Sequence, residues 1–214
     1  MLFYFYFCFM LNKIIIIDII YNRGCGKVED GRVRLIAQLK KVGVILLAIV
    51  IIGIIVILGY QFVMKKINTG KFTDYLSDND YELKKDGTYL KEDKNGEIIT
   101  RYKALSADSI ISKETYETTD IDYTTFSFKY EKNGNIQIGL QFEGYNKHNN
   151  YGTLYQTGNY KNGEFDCKVV TGKGFEPKCD IMKNKAKEFN DEVNSIIEKS
   201  EANPKYISQK SNSK

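Results

Sequence analysis

The chain has 214 residues, with 31 Lys+Arg against 27 Asp+Glu, one histidine, four cysteines and no tryptophan; this size suits one domain with or without a membrane segment and excludes a large multidomain machine. The charge is unevenly placed: residues 1–66 carry 9 Lys+Arg against 3 Asp+Glu, and residues 67–214 carry 22 against 24. The larger part is thus slightly acidic and lacks the clustered basic side chains whose counterion release drives binding to a polyanion, so nucleic acid is not an expected partner.

The first 32 residues begin MLFYFYFCFMLNKIIIIDIIYN. No basic stretch precedes the apolar start, and Asn12, Lys13 and Asp18 interrupt it, so it fits neither a signal peptide nor a span. The chain has 27 Lys to 4 Arg and abundant Ile and Asn, as an AT-rich genome would give. Residues 28–33 can be encoded by a purine-rich ribosome-binding site followed by a GTG start at Val33. Residues 1–32 are therefore read as an overextended gene start; the alternative is a weak extra hydrophobic segment forming a hairpin with the span that follows. Cys25 follows Asn22 and Arg23, where a lipoprotein signal needs an aliphatic and a small residue, so it is not read as a lipidation site.

Residues 33–41 form a short basic tail, and residues 42–64, VGVILLAIVIIGIIVILGYQFVM, form an uncharged run bracketed by Lys40-Lys41 and Lys65-Lys66. As a helix this run is ~35 Å long, enough to cross a hydrocarbon core of roughly 30 Å. Lys27, Arg32, Arg34, Lys40 and Lys41 lie before it and Lys65, Lys66 and Lys71 after it, so the positive-inside bias favours a cytoplasmic N-terminus. The expected form is a single-pass signal anchor in the cell membrane of a low-GC bacterium, with residues 65–200 as an extracytoplasmic α+β domain.

Within that domain, helix is expected to continue over residues 64–78, with Phe72, Tyr75 and Leu76 on one face, and to stop at Asp78-Asn79-Asp80. From 88 to 170 the period changes to two. Phe126, Phe128 and Tyr130, then Ile136, Ile138, Leu140 and Phe142, then Phe165, Cys167 and Val169 each alternate with polar neighbours, as strands with one buried face do. Lys94-Asn95-Gly96, Lys132-Asn133-Gly134 and Lys161-Asn162-Gly163 repeat one turn signal, since Asn-Gly accepts the positive φ of a tight reversal. Three hairpins predict about six strands. Residues 180–199 predict an amphipathic helix with Asp180 as N-cap and Met182, Ala186, Phe189, Val193 and Ile196 as its apolar stripe, lying on the sheet. Residues 201–214 read as a disordered polar tail.

Cys167 and Cys179 are the two cysteines of the large domain, and their closeness in sequence predicts a disulfide formed in an oxidising compartment. Two cysteines and His148 do not make a four-ligand zinc site. His148 falls in a turn-like polar loop, Asn146 to Asn150, where an exposed structural role is expected. Asp74, Asp78, Asp80 and Glu82 form an acidic cluster, but Leu83 stands where a calcium loop needs glycine. No nucleophile elbow, zinc-protease helix or phosphate loop occurs, so no metal, cofactor or catalytic residue is assigned. Tyrosine is the one compositional excess, 12 of 16 lying beyond Ile67, with Tyr145, Tyr151, Tyr155 and Tyr160 in one stretch. Half-buried strand positions account for them most simply; an exposed face for a protein or glycan partner is the alternative. The expected function is a membrane-anchored binding or assembly protein that is not an enzyme. The alternatives are a cell-envelope hydrolase working through paired carboxylates and an accessory subunit of a membrane complex.

Overall fold

The structure is a computed structural model and describes residues 30–208, with side chains from Lys40 onward. The readings of residues 1–29 and of the last six residues lie outside the described part. Helix α1 (Asp30–Asp78) is followed by strands β1 (Glu82–Leu83), β2 (Tyr89–Asn95), β3 (Ile98–Ala104), β4 (Ile111–Thr118), β5 (Tyr123–Tyr130), β6 (Ile136–Tyr145), β7 (Tyr151–Lys161) and β8 (Glu164–Thr171). Helix α2 (Cys179–Ser200) and a 3₁₀ turn (Pro204–Tyr206) complete the described part. Two compact units divide it, Met1–Ile57 and Leu58–Lys214. Between Val42 and Val63 the large apolar side chains of α1 other than Ile51 stand exposed, Val56 by 64%. One helix among the described residues is thus long and apolar enough to cross a membrane.

In the second unit the fold is α+β, as expected, but the sheet has eight strands and not about six. It is an open antiparallel meander in which each strand pairs only with its neighbours in sequence, from β1 at one edge to β8 at the other. The three Asn-Gly signals do mark reversals, β2–β3, β5–β6 and β7–β8, and these account for six strands. The two that were missed, β1 and β4, have no Asn-Gly on either side. β4 enters through the loop after Leu105 and leaves through a turn in which Thr119 Oγ1 accepts the Asp122 N–H at 3.0 Å. The three copies of the signal also close differently. Asn162 and Gly163 both have positive φ, as a type I′ turn requires, whereas only Gly96 does in the first copy, and the second forms a five-residue loop with Gly134 at φ 77°.

Both helices of this unit contribute to a single core on one face of the sheet. Phe72 and Leu76 from α1 and Met182, Ala186, Phe189 and Val193 from α2 join Phe126, Phe128, Ile136, Ile138, Leu140 and Tyr160. The stripe expected on α2 is therefore buried, with Ile196 packed at its margin, whereas on α1 Phe72 and Leu76 enter the core and Tyr75 stays half-exposed outside it. α2 begins one residue earlier than expected: Lys178 occupies the N-cap position, without a side-chain cap, and Asp180 lies in the first turn, where its charge still favours the positive end of the helix dipole. The residues after α2 are not a free tail as far as Ser208. Ile207 is fully buried, Asn68 Oδ1 accepts the Asn203 N–H at 2.7 Å, and Thr69 Oγ1 accepts the Ser208 N–H at 3.2 Å.

α1 ends where the sequence predicts, and its cap shows why. The Tyr81 N–H reaches back to the Leu76 carbonyl at 3.1 Å while Asp80 sits at φ 65°, the left-handed position usually given to glycine. Glu201 occupies the matching place after α2 at φ 52°. Asp80→Gly should therefore stabilise the protein by about 0.5 kcal/mol, since the relief of the left-handed strain exceeds the added freedom of the unfolded chain. A chemical-denaturation midpoint that falls would contradict this account of the cap.

Candidate functional site

With both helices on one side, the opposite face of the sheet carries no second layer among the described residues. Strand alternation decides what stands there. On β7, Leu154, Gln156, Gly158 and Tyr160 point inward, so Tyr151, Thr153, Tyr155, Thr157 and Asn159 point outward. On β6 the outward set is Gln137, Gly139, Gln141, Glu143 and Tyr145, facing Ser127 and Lys129 on β5. The face is polar, with hydroxyl, amide and phenol groups. Gly139 has no side chain to fill the space between Ser127 and Thr157, and a shallow trough of about 430 Å³ opens there, lined also by Lys129, Gln137 and Asn159.

The tyrosines of the sequence cluster separate by phase. Tyr160 is buried in the core, whereas Tyr145, Tyr151 and Tyr155 stand outward and are 51, 59 and 40% exposed. Tyr145 and Tyr151 pair across the strands with ring centroids 5.3 Å apart, edge to face. They flank the β6–β7 loop, where His148 is exposed and Asn146 Oδ1 accepts the backbone N–H groups of His148 and Asn150. That loop is built like the Glu131 to Asn135 loop, with Asn149 in the left-handed place of Gly134. In a meander alternate turns lie at opposite ends, so the tyrosine pair is at the end of the sheet opposite the β3–β4 and β5–β6 loops.

Cys167 and Cys179 are joined in a disulfide with Cα atoms 5.9 Å apart, tying β8 to the first residue of α2. Beneath it lies Gln156, 1% exposed. Its Nε2 donates toward Cys179 Sγ at 3.5 Å and Cys167 Sγ at 3.7 Å, and its Oε1 accepts the Lys178 N–H at 2.8 Å. A glutamine on the inward phase between Leu154 and Gly158 was the sequence signal for this corner, and it was missed. The Gln156 carbonyl satisfies the backbone N–H of the N-cap residue, as the N3 side chain does in a capping box, and leaves the first-turn N–H groups without a side-chain cap.

A second polar cluster lies where α2 crosses β3 and β4. Lys113 Nζ and Glu192 Oε2 are 2.7 Å apart and both side chains are partly buried. The Lys113 ammonium lies 5.2 Å from the centre of the Tyr102 ring, and Tyr102 meets Tyr81 edge to face. Burial, reinforced by the Glu192 carboxylate, pushes both phenols well above the ordinary tyrosine range. They remain protonated at neutral pH, and Glu192 is engaged by Lys113. The arrangement holds the helix on the sheet and presents neither a free base nor an activated nucleophile. Among the described residues no group of three or more His, Cys, Asp or Glu side chains is placed to hold a metal ion.

No family model matches the chain, and comparison with curated proteins and with solved structures gives no match. The functional reading therefore rests on the chain's own surfaces.

Proposed function

We propose that the protein is a single-pass, membrane-anchored binding or assembly protein of a low-GC bacterium, whose α+β domain lies outside the cytoplasm and whose open sheet face contacts a protein or glycan. The outward placement of Tyr145, Tyr151 and Tyr155 carries this reading. Exposed rings with a polar tip, set among amides and hydroxyls on a rigid sheet, suit recognition of a surface that is itself part apolar and part polar. The location is supported by the disulfide, which persists where the compartment is oxidising; the Lys and Arg count favours the same orientation when Lys27 and Arg32 are included, and is three on each side of the run when the chain starts at Val33.

Two measurements on cells test the parts separately. Protease added to intact cells should remove a C-terminal tag and the domain, and complete protection until lysis would reverse the orientation. A photo-crosslinking side chain at position 151 should yield a discrete adduct that the same group at position 94, near the far edge of the sheet, does not. Equal capture from both positions, or none from 151, would remove the tyrosine face as the contact surface.

A further inference from the structure

At the end of the sheet opposite the tyrosine pair, the β3–β4 and β5–β6 loops and the chain after α2 enclose a cavity of about 200 Å³. Its wall includes Ser106, Ser109, Lys132, Ile207 and Ser208. Ser208 is bonded to Thr69 of α1, so the cavity lies about one helical turn from Lys65 and Lys66, which directly follow the apolar run. We infer that this cavity, with Lys132 in its wall and Lys65 and Lys66 about one helical turn away, binds the phosphate of an anionic phospholipid headgroup at the membrane surface.

The chemistry of the wall supports the assignment. The Ser106 and Ser109 hydroxyls are hydrogen-bonded to each other at 2.9 Å, which leaves one hydroxyl hydrogen of the pair to donate outward, and the phosphate oxygens of a lipid accept from such a donor and from ammonium groups. Lys132 forms no ion pair among the described residues. Burial and the neighbouring Lys65 ammonium both hold its pKa below the usual lysine range, a penalty that an anion between the two would remove. The acidic group on the wall, Asp108, lies 3.8 Å from Lys129, which offsets its charge. Leu105, at the start of the β3–β4 loop, holds φ 57° with its side chain buried, a conformation that costs a large residue energy and that the surrounding packing must enforce. The loop is thus fixed in shape and not a chance surface hollow. A membrane lipid is favoured over a soluble phosphate because the lysines stand at the end of a segment that reaches the bilayer surface, where lipid phosphate is concentrated.

This inference rests on α1 crossing the bilayer between residues 42 and 64, and flotation of the full chain with vesicles tests that first. Failure to float would sink the membrane reading and this assignment together. The floated protein is then treated with an amine-acylating reagent in phosphatidylcholine vesicles and in vesicles containing phosphatidylglycerol, and each lysine is followed by peptide mass spectrometry. Lys132 should be acylated about fivefold more slowly with phosphatidylglycerol, the effect of about one lysine at an anionic surface. Lys147, in the loop at the other end of the sheet, should react equally in both. Lys65→Gln combined with Lys66→Gln should reduce the protection of Lys132. Equal acylation of Lys132 in the two vesicles, or equal protection of Lys147, would overturn the site. Protection of Lys132 by soluble glycerol phosphate in phosphatidylcholine vesicles would overturn the lipid assignment in favour of a soluble anion.

Discussion

Phe189→Ala should destabilise the protein by about 4 kcal/mol, the range for an aromatic side chain removed from a packed core. Phe189 is 2% exposed, its ring lies 5.0 Å from that of Phe128, and it stands midway along the stripe that fastens α2 to the sheet. Domains of this size are stable by about 5–15 kcal/mol, so the loss is a large fraction of the whole. Ile181→Ala on the same helix, where the side chain is exposed, should change stability by about 0.5 kcal/mol or less. Similar midpoints for the two variants in urea would mean that α2 is not held by this stripe.

The second large effect is expected at the disulfide. Cys167 and Cys179 are twelve positions apart, and closing a loop of this length is worth about 3 kcal/mol in the chain-entropy account. Either Cys→Ser variant should melt roughly 6–12 °C lower, taking about 2–4 °C per kcal/mol for a domain of this size. Reductant should have the same effect on the parent and none on the double serine variant. Free alkylation of both thiols in unreduced protein would break the pairing, and with it the redox argument for an external location.

The parts of this structure that were legible in the sequence are those governed by local periodicity. Met182, Ala186, Phe189 and Val193 recur at helical spacing and are buried together, and Cys167 lies on the inward phase of its strand, within reach of Cys179. What escaped were features whose partners are distant in sequence. Lys113 is half-buried with Glu192, 79 positions later, as its partner, and Asn68 is buried with Asn203, 135 positions later. Neither pairing leaves a trace near either residue. Ala202 and Ile207 sit in a segment of mostly polar composition, and these two buried side chains, with two backbone N–H groups donated to side chains of α1, order it. The tyrosines could have been sorted by counting in twos from Leu154. That the outward face lacks a second layer could not, because a strand pattern says which side chains share a face and not what covers it.

The meander also bears on how the chain reaches its native state. Every strand finds its partner in the segment just made, so pairing closes only short loops, and for a β-rich domain the mean separation of contacts is low and folding correspondingly fast. A chain emerging N-terminus first can add one hairpin arm at a time, with no strand waiting for a distant mate and little time for an unpaired edge to meet another molecule. The exception is the closure of the ends. Phe72 and Leu76 are made first, yet their core partners on α2 and the clasp of Asn203 and Ser208 on Asn68 and Thr69 arrive last. Completion therefore waits for the final residues, and truncations before Ile207 would leave a paired sheet whose two helices are not yet locked.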